Sequence, residues 1–361
     1  MQKVKNNIID NLWKKKWFQF IEDNSVNPWS FKWLSTNPNI DWDIVQANLG
    51  KPWDFHWLSS NPVITWDIVQ ANPKIPWSFV HLSENPNIDW AVIKANLNKP
   101  WDFQWLSSNP VITWAIVQAN PKIPWDFDFL SLNPNIDWNI VQANLNKPWD
   151  FEGLSENPSI IWDNVQANPN FSWSFEGLSV NPNINFDIVK ANLDKPWNFN
   201  LLSENPSITC DIVQANPDLP WSFEGLSQNP SIKWDFVQAN LDKSWNFYWL
   251  SKNPSITLDI VQSNPNLPWD FDALSQNPSI TWDNVKANPD IPWDFYYLSA
   301  NPMSAAKEKY IKKLTRSFAI ISAWVFNLKT DPKYILCRKW MAQVQEEYYD
   351  INPWENHVAG R

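Results

Sequence analysis

The sequence predicts an all-α fold: a solenoid of about twelve 24-residue repeats, two short helices in each, with helical caps at both ends. Three observations carry this. A tryptophan recurs every 24 residues without a miss, at Trp29, Trp53, Trp77, Trp101, Trp125, Trp149, Trp173, Trp197, Trp221, Trp245, Trp269 and Trp293. Each interval divides into two halves. In the unit 53–76 each half opens on a Trp followed by a small polar or acidic residue and closes near Asn-Pro, with Asn-Leu in some second halves elsewhere. Within the halves, apolar residues fall three and four apart, the stripe of a helix.

The elements follow in order. Residues 1–26 form an N-terminal cap whose helix presents Ile8, Ile9, Leu12, Trp13, Trp17 and Phe20. In the unit spanning 53–76, Trp53, Phe55 and Leu58 are the apolar stripe of the first helix. Asp54 suits its first turn, where free N–H groups favour a carboxylate or hydroxyl. Thr65, replaced elsewhere by Asp41, Asp89 and Asp137, caps the second helix. Asn61-Pro62 and Asn72-Pro73 stop the helices, because Asn tolerates a left-handed turn and Pro cannot continue the ladder. Helices this short are expected to be partly 3₁₀. The array covers 27–302. Residues 303–361 form a C-terminal cap and tail, read as helices over 304–328 and 333–349 split at Asp331-Pro332.

Repeats compared with one another separate interior from surface. The Phe series from Phe31 to Phe295, the Leu series from Leu34 to Leu298, the Ser series from Ser35 to Ser299 and the Ile series from Ile40 to Ile280 never vary. The apolar members are expected inside. Ser35 and its equivalents are expected to bond to backbone at the helix end, and the Asn37 and Asn48 series to form ladders that satisfy turn groups. One unit buries too little to offset the entropy of ordering its chain, so neighbours must supply the margin. The linkers alternate between Asn-Leu-x-Lys-Pro, as at 48–52, and Asn-Pro-x-Ile-Pro, as at 72–76. This is a 48-residue doublet in which Leu49 and Ile75 are expected to fill equivalent space.

The chain carries a net charge of −10, unevenly spread: residues 27–302 hold 13 basic and 29 acidic side chains. An acidic array argues against nucleic acid along its length, since phosphate affinity needs clustered Lys and Arg. Two cysteines, Cys210 and Cys337, cannot make a disulfide framework, and Cys210 is expected to be a buried free thiol in a slot usually held by Trp. The apolar run near 318–328 is too short to span a bilayer, and its basic approach at 307–316 reads as a capping helix before a membrane-surface one. The N-terminus lacks the apolar core of a signal peptide, so an intracellular protein is expected.

Nothing in the motifs points to catalysis, a cofactor or a metal. The three histidines, His56, His81 and His357, lack the company of a triad or ligand cluster, and no glycine-rich phosphate loop occurs. Asp43, Asp67, Asp187, Asp211, Asp235, Asp259 and Asp283 share one phase, which helix-terminus stabilisation explains. The informative slot lies four residues after each phased Trp. It holds Trp33, Trp57, His81, Trp105, Phe129, Gly153, Gly177, Leu201, Gly225, Trp249, Ala273 and Tyr297. Variable positions on a fixed scaffold are where repeat proteins recognise partners. Trp33, Trp57, His81, Trp105, Phe129, Trp249 and Tyr297 are therefore the candidate partner-binding residues, giving a surface with aromatic ends and an acidic, smoother middle. Packing of these side chains against neighbouring turns is the competing explanation.

The Asn-Pro-x-x-Pro linker, the paired short helices and the 24-residue length resemble leucine-rich repeat variant proteins, which implies a right-handed superhelix of alternating α and 3₁₀ helices. The tryptophan-heavy unit, with I-T-W-D-I-V-Q-A-N-P and P-W-D-F-x-x-L-S-x-N-P, resembles the tryptophan-repeat proteins of large DNA viruses of amoebae over about 27–302. That resemblance implies no catalytic residues. It sets the expectation of a non-enzymatic viral scaffold for protein partners in the host cytoplasm, the viral factory or the virion. A structural virion spacer anchored by the C-terminal helices and a carbohydrate platform of exposed Trp stand as alternatives.

Overall fold

The computed structural model describes residues 2–330 and 339. Its elements are all helical among the described residues: Gln2–Asp23 at the N-terminus, Ser304–Thr330 towards the C-terminus, and pairs of short helices between. The first helix of each pair begins on the invariant Phe, as in Phe31–Thr36 and Phe55–Ser60. The second begins on the aromatic of the other half, as in Trp42–Ala47 and Trp66–Ala71. The helix expected over 333–349 lies outside the described residues. The described residues divide into two compact units, 14–306 and 2–13 with those from 307 onward.

The phased tryptophans stand just outside the first helices, not in their first turn. Asp54 is the N-cap, and its carboxylate accepts from the amides of His56 and Trp57. Each indole N–H instead donates backwards to the end of the preceding helix, as Trp53 Nε1 does to the Asn48 carbonyl at 2.9 Å. That donor separates Trp from Phe at this position, because it satisfies a carbonyl the helix leaves bare. The helices are α rather than 3₁₀, and the tighter i to i+3 bond appears only in closing turns such as Asn37 N to Leu34 O. The C-cap asparagines are not left-handed: Asn37 has φ −67° and Asn48 φ −128°. Their side chains, not their backbone freedom, explain the residue choice.

Two hydrogen-bond ladders stitch units 24 residues apart. Asn61 Nδ2 donates to Ser35 O at 3.0 Å and its Oδ1 accepts from Val63 N, which fixes its own turn. Ser35 Oγ donates to Phe31 O at 2.7 Å and accepts from Asp54 N at 3.0 Å. Both side chains are buried and fully partnered, because a desolvated polar group left without a partner would cost more than its hydrogen bond returns. The Asn48 series does not join this ladder. Its Nδ2 bonds within its own helix, to Ile44 O at 2.9 Å, and its carbonyl takes the indole proton. Aromatic edges complete the interface: Phe31 meets Trp53 at 5.0 Å and 83°, and Trp42 meets Trp77 at 5.7 Å and 45°.

The ladders do not stop at the last unit. Ser30 N donates to Ser299 Oγ at 2.9 Å, and Asn37 Nδ2 donates to Ser299 O and Asn301 O at 2.9 and 3.1 Å. Trp29 meets Phe295 at 5.1 Å and 85°. These are the bonds each unit makes to its predecessor, so the array of residues 14–306 closes on itself. Closure runs through a half-unit offset. Phe18, Phe20, Ile21 and Asn24 sit 24 residues before Trp42, Ile44, Val45 and Asn48. They copy the bonds of those residues: Asn24 Nδ2 to Phe20 O, and Trp29 Nε1 to Asn24 O. Phe20 also lies 6.1 Å from Trp282 and Phe18 lies 6.2 Å from Trp53. The end of the N-terminal helix is therefore a second helix of the array. It completes the unit that Trp293 opens.

First helices of successive units pack closely against one another, whereas second helices stand further apart. A closed array carries its tighter layer inside. The C-terminal turn out of the array passes through Met303 at φ 49°, the one non-glycine residue with positive φ among those described. In the other unit, Trp13 is fully buried, packs 5.7 Å from Tyr310, and Lys307 pairs with Asp10 at 2.6 Å. Of the residues expected on that helix's apolar face, Ile8 and Leu12 are exposed.

Candidate partner-binding surface

The variable slot lies on the first helices, one residue before the buried Leu and four residues after the phased Trp. Some of its residues touch along the row. Trp57 lies 5.3 Å from His81, and Trp105 lies 5.4 Å from Phe129. Lys32 places its ammonium 5.8 Å from the Trp33 ring and 5.5 Å from the Trp57 ring. His81 Nδ1 and Ser78 Oγ share a hydrogen bond at 2.8 Å. Trp57 and Trp105 are 36% and 40% exposed, while Trp33, His81, Phe129, Trp249 and Tyr297 are half-buried. The indole N–H of Trp33 is buried with no partner.

Closure rearranges what the linear sequence suggests. Tyr296 of the last unit lies 6.2 Å from Trp33 of the first, and Tyr297 lies 5.4 Å from Tyr296. The two aromatic ends therefore merge into one arc running from Trp249 through Tyr297, Trp33, Trp57, His81 and Trp105 to Phe129, interrupted by Ala273. Opposite it lies an acidic arc in which Glu152, Glu176 and Glu224 precede Gly153, Gly177 and Gly225. Burial, and then the carboxylates of Glu152, Asp150 and Glu176, hold the Glu156 carboxyl above the usual range; burial followed by Glu224 does the same to Glu204.

The glycines have a packing reason as well. A Cβ on Gly225 would stand 2.6 Å from the backbone oxygen of Asn200, and one on Gly177 would stand 3.0 Å from that of Glu152. Neighbouring helices approach there more closely than a side chain allows. The competing explanation therefore accounts for the smooth half of the slot, and in the aromatic half Trp57 and Trp105 are the exposed members.

Other candidates resolve simply. Cys210 is half-buried rather than buried, and its thiol reaches Ser231 O at 3.7 Å. Cys337 and His357 lie outside the described residues. Asp43 and its phase-mates occupy first turns of second helices. Among the described residues no group of three His, Cys, Asp or Glu is placed to hold a metal, and no helix is long and apolar enough to cross a membrane. Leu49 and Ile75 do not fill equivalent space: Leu49 is 48% exposed and Ile75 half-buried. Comparison with family models, curated proteins and solved structures finds no match.

Proposed function

We propose that this chain is a non-enzymatic scaffold that engages protein partners through the aromatic arc of its first helices. The observation that carries this reading is the meeting of the two aromatic ends across the seam, Tyr297 through Tyr296 to Trp33, in register with Trp57, His81, Trp105 and Phe129, with Trp57 and Trp105 open to solvent. Aromatic side chains with little rotamer freedom are the usual anchors of protein interfaces. The resemblance of the repeat to viral tryptophan-repeat proteins supports a viral setting, in the host cytoplasm or viral factory. Of the other roles, a virion spacer gains less support, since a closed array offers no free ends along which a rod extends.

The test is affinity capture from infected cells with the full chain and with Trp57→Ala, Trp105→Ala and Trp249→Ala combined. A partner retained by the first and lost by the second supports the arc. Identical partner sets for both would sink it.

A further inference from the structure

The phased tryptophans are not equivalent, and the difference follows the linkers. Trp53, Trp101, Trp149, Trp197, Trp245, Trp269 and Trp293 are buried, Trp53 at 6% exposure. Trp29, Trp77, Trp125, Trp173 and Trp221 are half-buried. The deciding position lies 22 residues onward. After six of the buried set it holds Ile75, Ile123, Phe171, Leu219, Leu267 and Ile291, the last, Trp293, being buried at the seam with Thr315 at that spacing; after the other set it holds Lys51, Lys99, Lys147, Lys195 and Lys243.

An apolar residue there is a lid. Phe171 stacks on Phe151 at 4.9 Å and 10° and meets Trp138 at 5.6 Å, and Trp149 beneath is buried. A lysine there leaves the ledge open. Lys99 Nζ stands 6.0 Å from the Phe79 ring, the same relationship of phases. Cavities lie at equivalent places: about 140 Å³ bounded by Trp29, Phe31 and Lys51, about 340 Å³ bounded by Trp173, Phe175 and Lys195, and about 410 Å³ bounded by Trp221, Phe223 and Lys243.

We infer that these open ledges form a second, periodic docking surface, for an extended acidic peptide that carries an aliphatic side chain between prolines. The chain itself shows the fitting occupant. Where a ledge is covered, the lid comes from an Asn-Pro-x-x-Pro linker, as with Leu219 in Asn216-Pro217-Asp218-Leu219-Pro220, or at Phe171 from the variant ending in Ser172. A partner segment of that kind supplies in trans the lid that alternate units lack. Prolines hold it extended in advance, which lowers the ordering cost. Charge supports the same occupant. The array holds 13 basic residues against 29 acidic ones, yet a lysine stands at every open ledge. Lys195 and Lys243 meet Asp194 and Asp242 at 3.0 and 3.3 Å, exposed pairs between sequence neighbours that a partner's carboxylate can displace. The same linkers expose Leu49, Leu97, Leu145, Leu193 and Leu241, adding apolar contact beside each lysine. Repetition at 48-residue intervals makes the surface multivalent. This surface is separate from the aromatic arc and stands without it.

The probe is acetyl-Asn-Pro-Asp-Leu-Pro-amide, titrated by calorimetry into the full chain, with acetyl-Asn-Pro-Asn-Ala-Pro-amide as control. Saturable binding of several peptides per chain is expected, with the control weaker by about tenfold or more. Lys195→Ile with Lys243→Ile installs two lids in cis. It is expected to remove two peptides from the stoichiometry and to lower acrylamide quenching of tryptophan fluorescence. Unchanged stoichiometry in this folded variant, or no binding of the probe at millimolar concentration, overturns the inference. Should the lidded variant fail to fold, Lys195→Ala with Lys243→Ala keeps both ledges open; weaker, less salt-dependent binding supports the inference and unchanged binding overturns it.

Discussion

The backbone amide of Ser30 donates to Oγ of Ser299 at 2.9 Å, joining residues 269 positions apart by the bond that Asp54 makes to Ser35 within the array. A seam built this way carries the same load as any interior interface. Asn37→Ala is expected to cost about 2–4 kcal/mol by stranding the carbonyls of Ser299 and Asn301. Asn133→Ala, which strands those of Ser107, Asn109 and Ile112, is expected to cost as much or more. Thermal melts of the two variants check this. A near-neutral Asn37→Ala beside a damaging Asn133→Ala would mean that the seam is open in solution.

The glycines of the variable slot should rank by what a methyl group meets. Gly225→Ala drives a Cβ to 2.6 Å from a backbone oxygen and is expected to cost about 1–3 kcal/mol. Gly153→Ala meets only side chains, at 3.1 Å and beyond, and should cost less. Gly50→Ala meets nothing within 4 Å and should be close to neutral. Denaturant midpoints give the order.

The lid has a converse. Ile75→Lys places in a covered unit the residue found at open ones, so Trp53 should become accessible. The expected signs are stronger acrylamide quenching and a loss of about 1–3 kcal/mol from the exposed apolar surface. Quenching equal to that of the parent chain would show that Ile75 does not cover Trp53.

Acid should stabilise the array over a limited range. Glu84, Glu156 and Glu204 have carboxyl groups raised above the ordinary value of 4.5, each chiefly by burial. A raised folded value means the charged form destabilises the fold. The stabilisation is complete below the ordinary value and is lost as pH rises through the raised one. The melting temperature should therefore climb as pH falls from neutral towards the ordinary carboxylate range. Asp194 and Glu308, lowered by their hydrogen bonds to Lys195 and Lys312, give up their contributions only further down. Glu156→Gln should flatten the climb, measured by melts between pH 7 and 5.

Much of the fold is legible in the chain because each interface repeats. Ser35 and Asn37 recur without variation, and invariance among repeats marks the groups that bond between units. Closure is harder to read. The segment Phe18-Gln19-Phe20-Ile21-Glu22-Asp23-Asn24 keeps the phase of Trp42–Asn48 but swaps Trp for Phe and joins a longer helix, so it passes for a cap. The candidate row is visible as a variable slot, yet the meeting of its two ends is not, since Trp33 and Tyr296 become neighbours only through the seam. The linker alternation is also visible. Its meaning is hidden because the residue that decides a tryptophan's exposure stands 22 positions away.

Closure through a half-unit offset also makes copy number a quantised property. An open array can gain or lose a 48-residue pair and remain an array with two ends. Here such a change must either alter the turn between every pair of neighbours or part Ser30 from Ser299. Duplication could build this chain pair by pair, but once the first and last units had met, length was held by geometry.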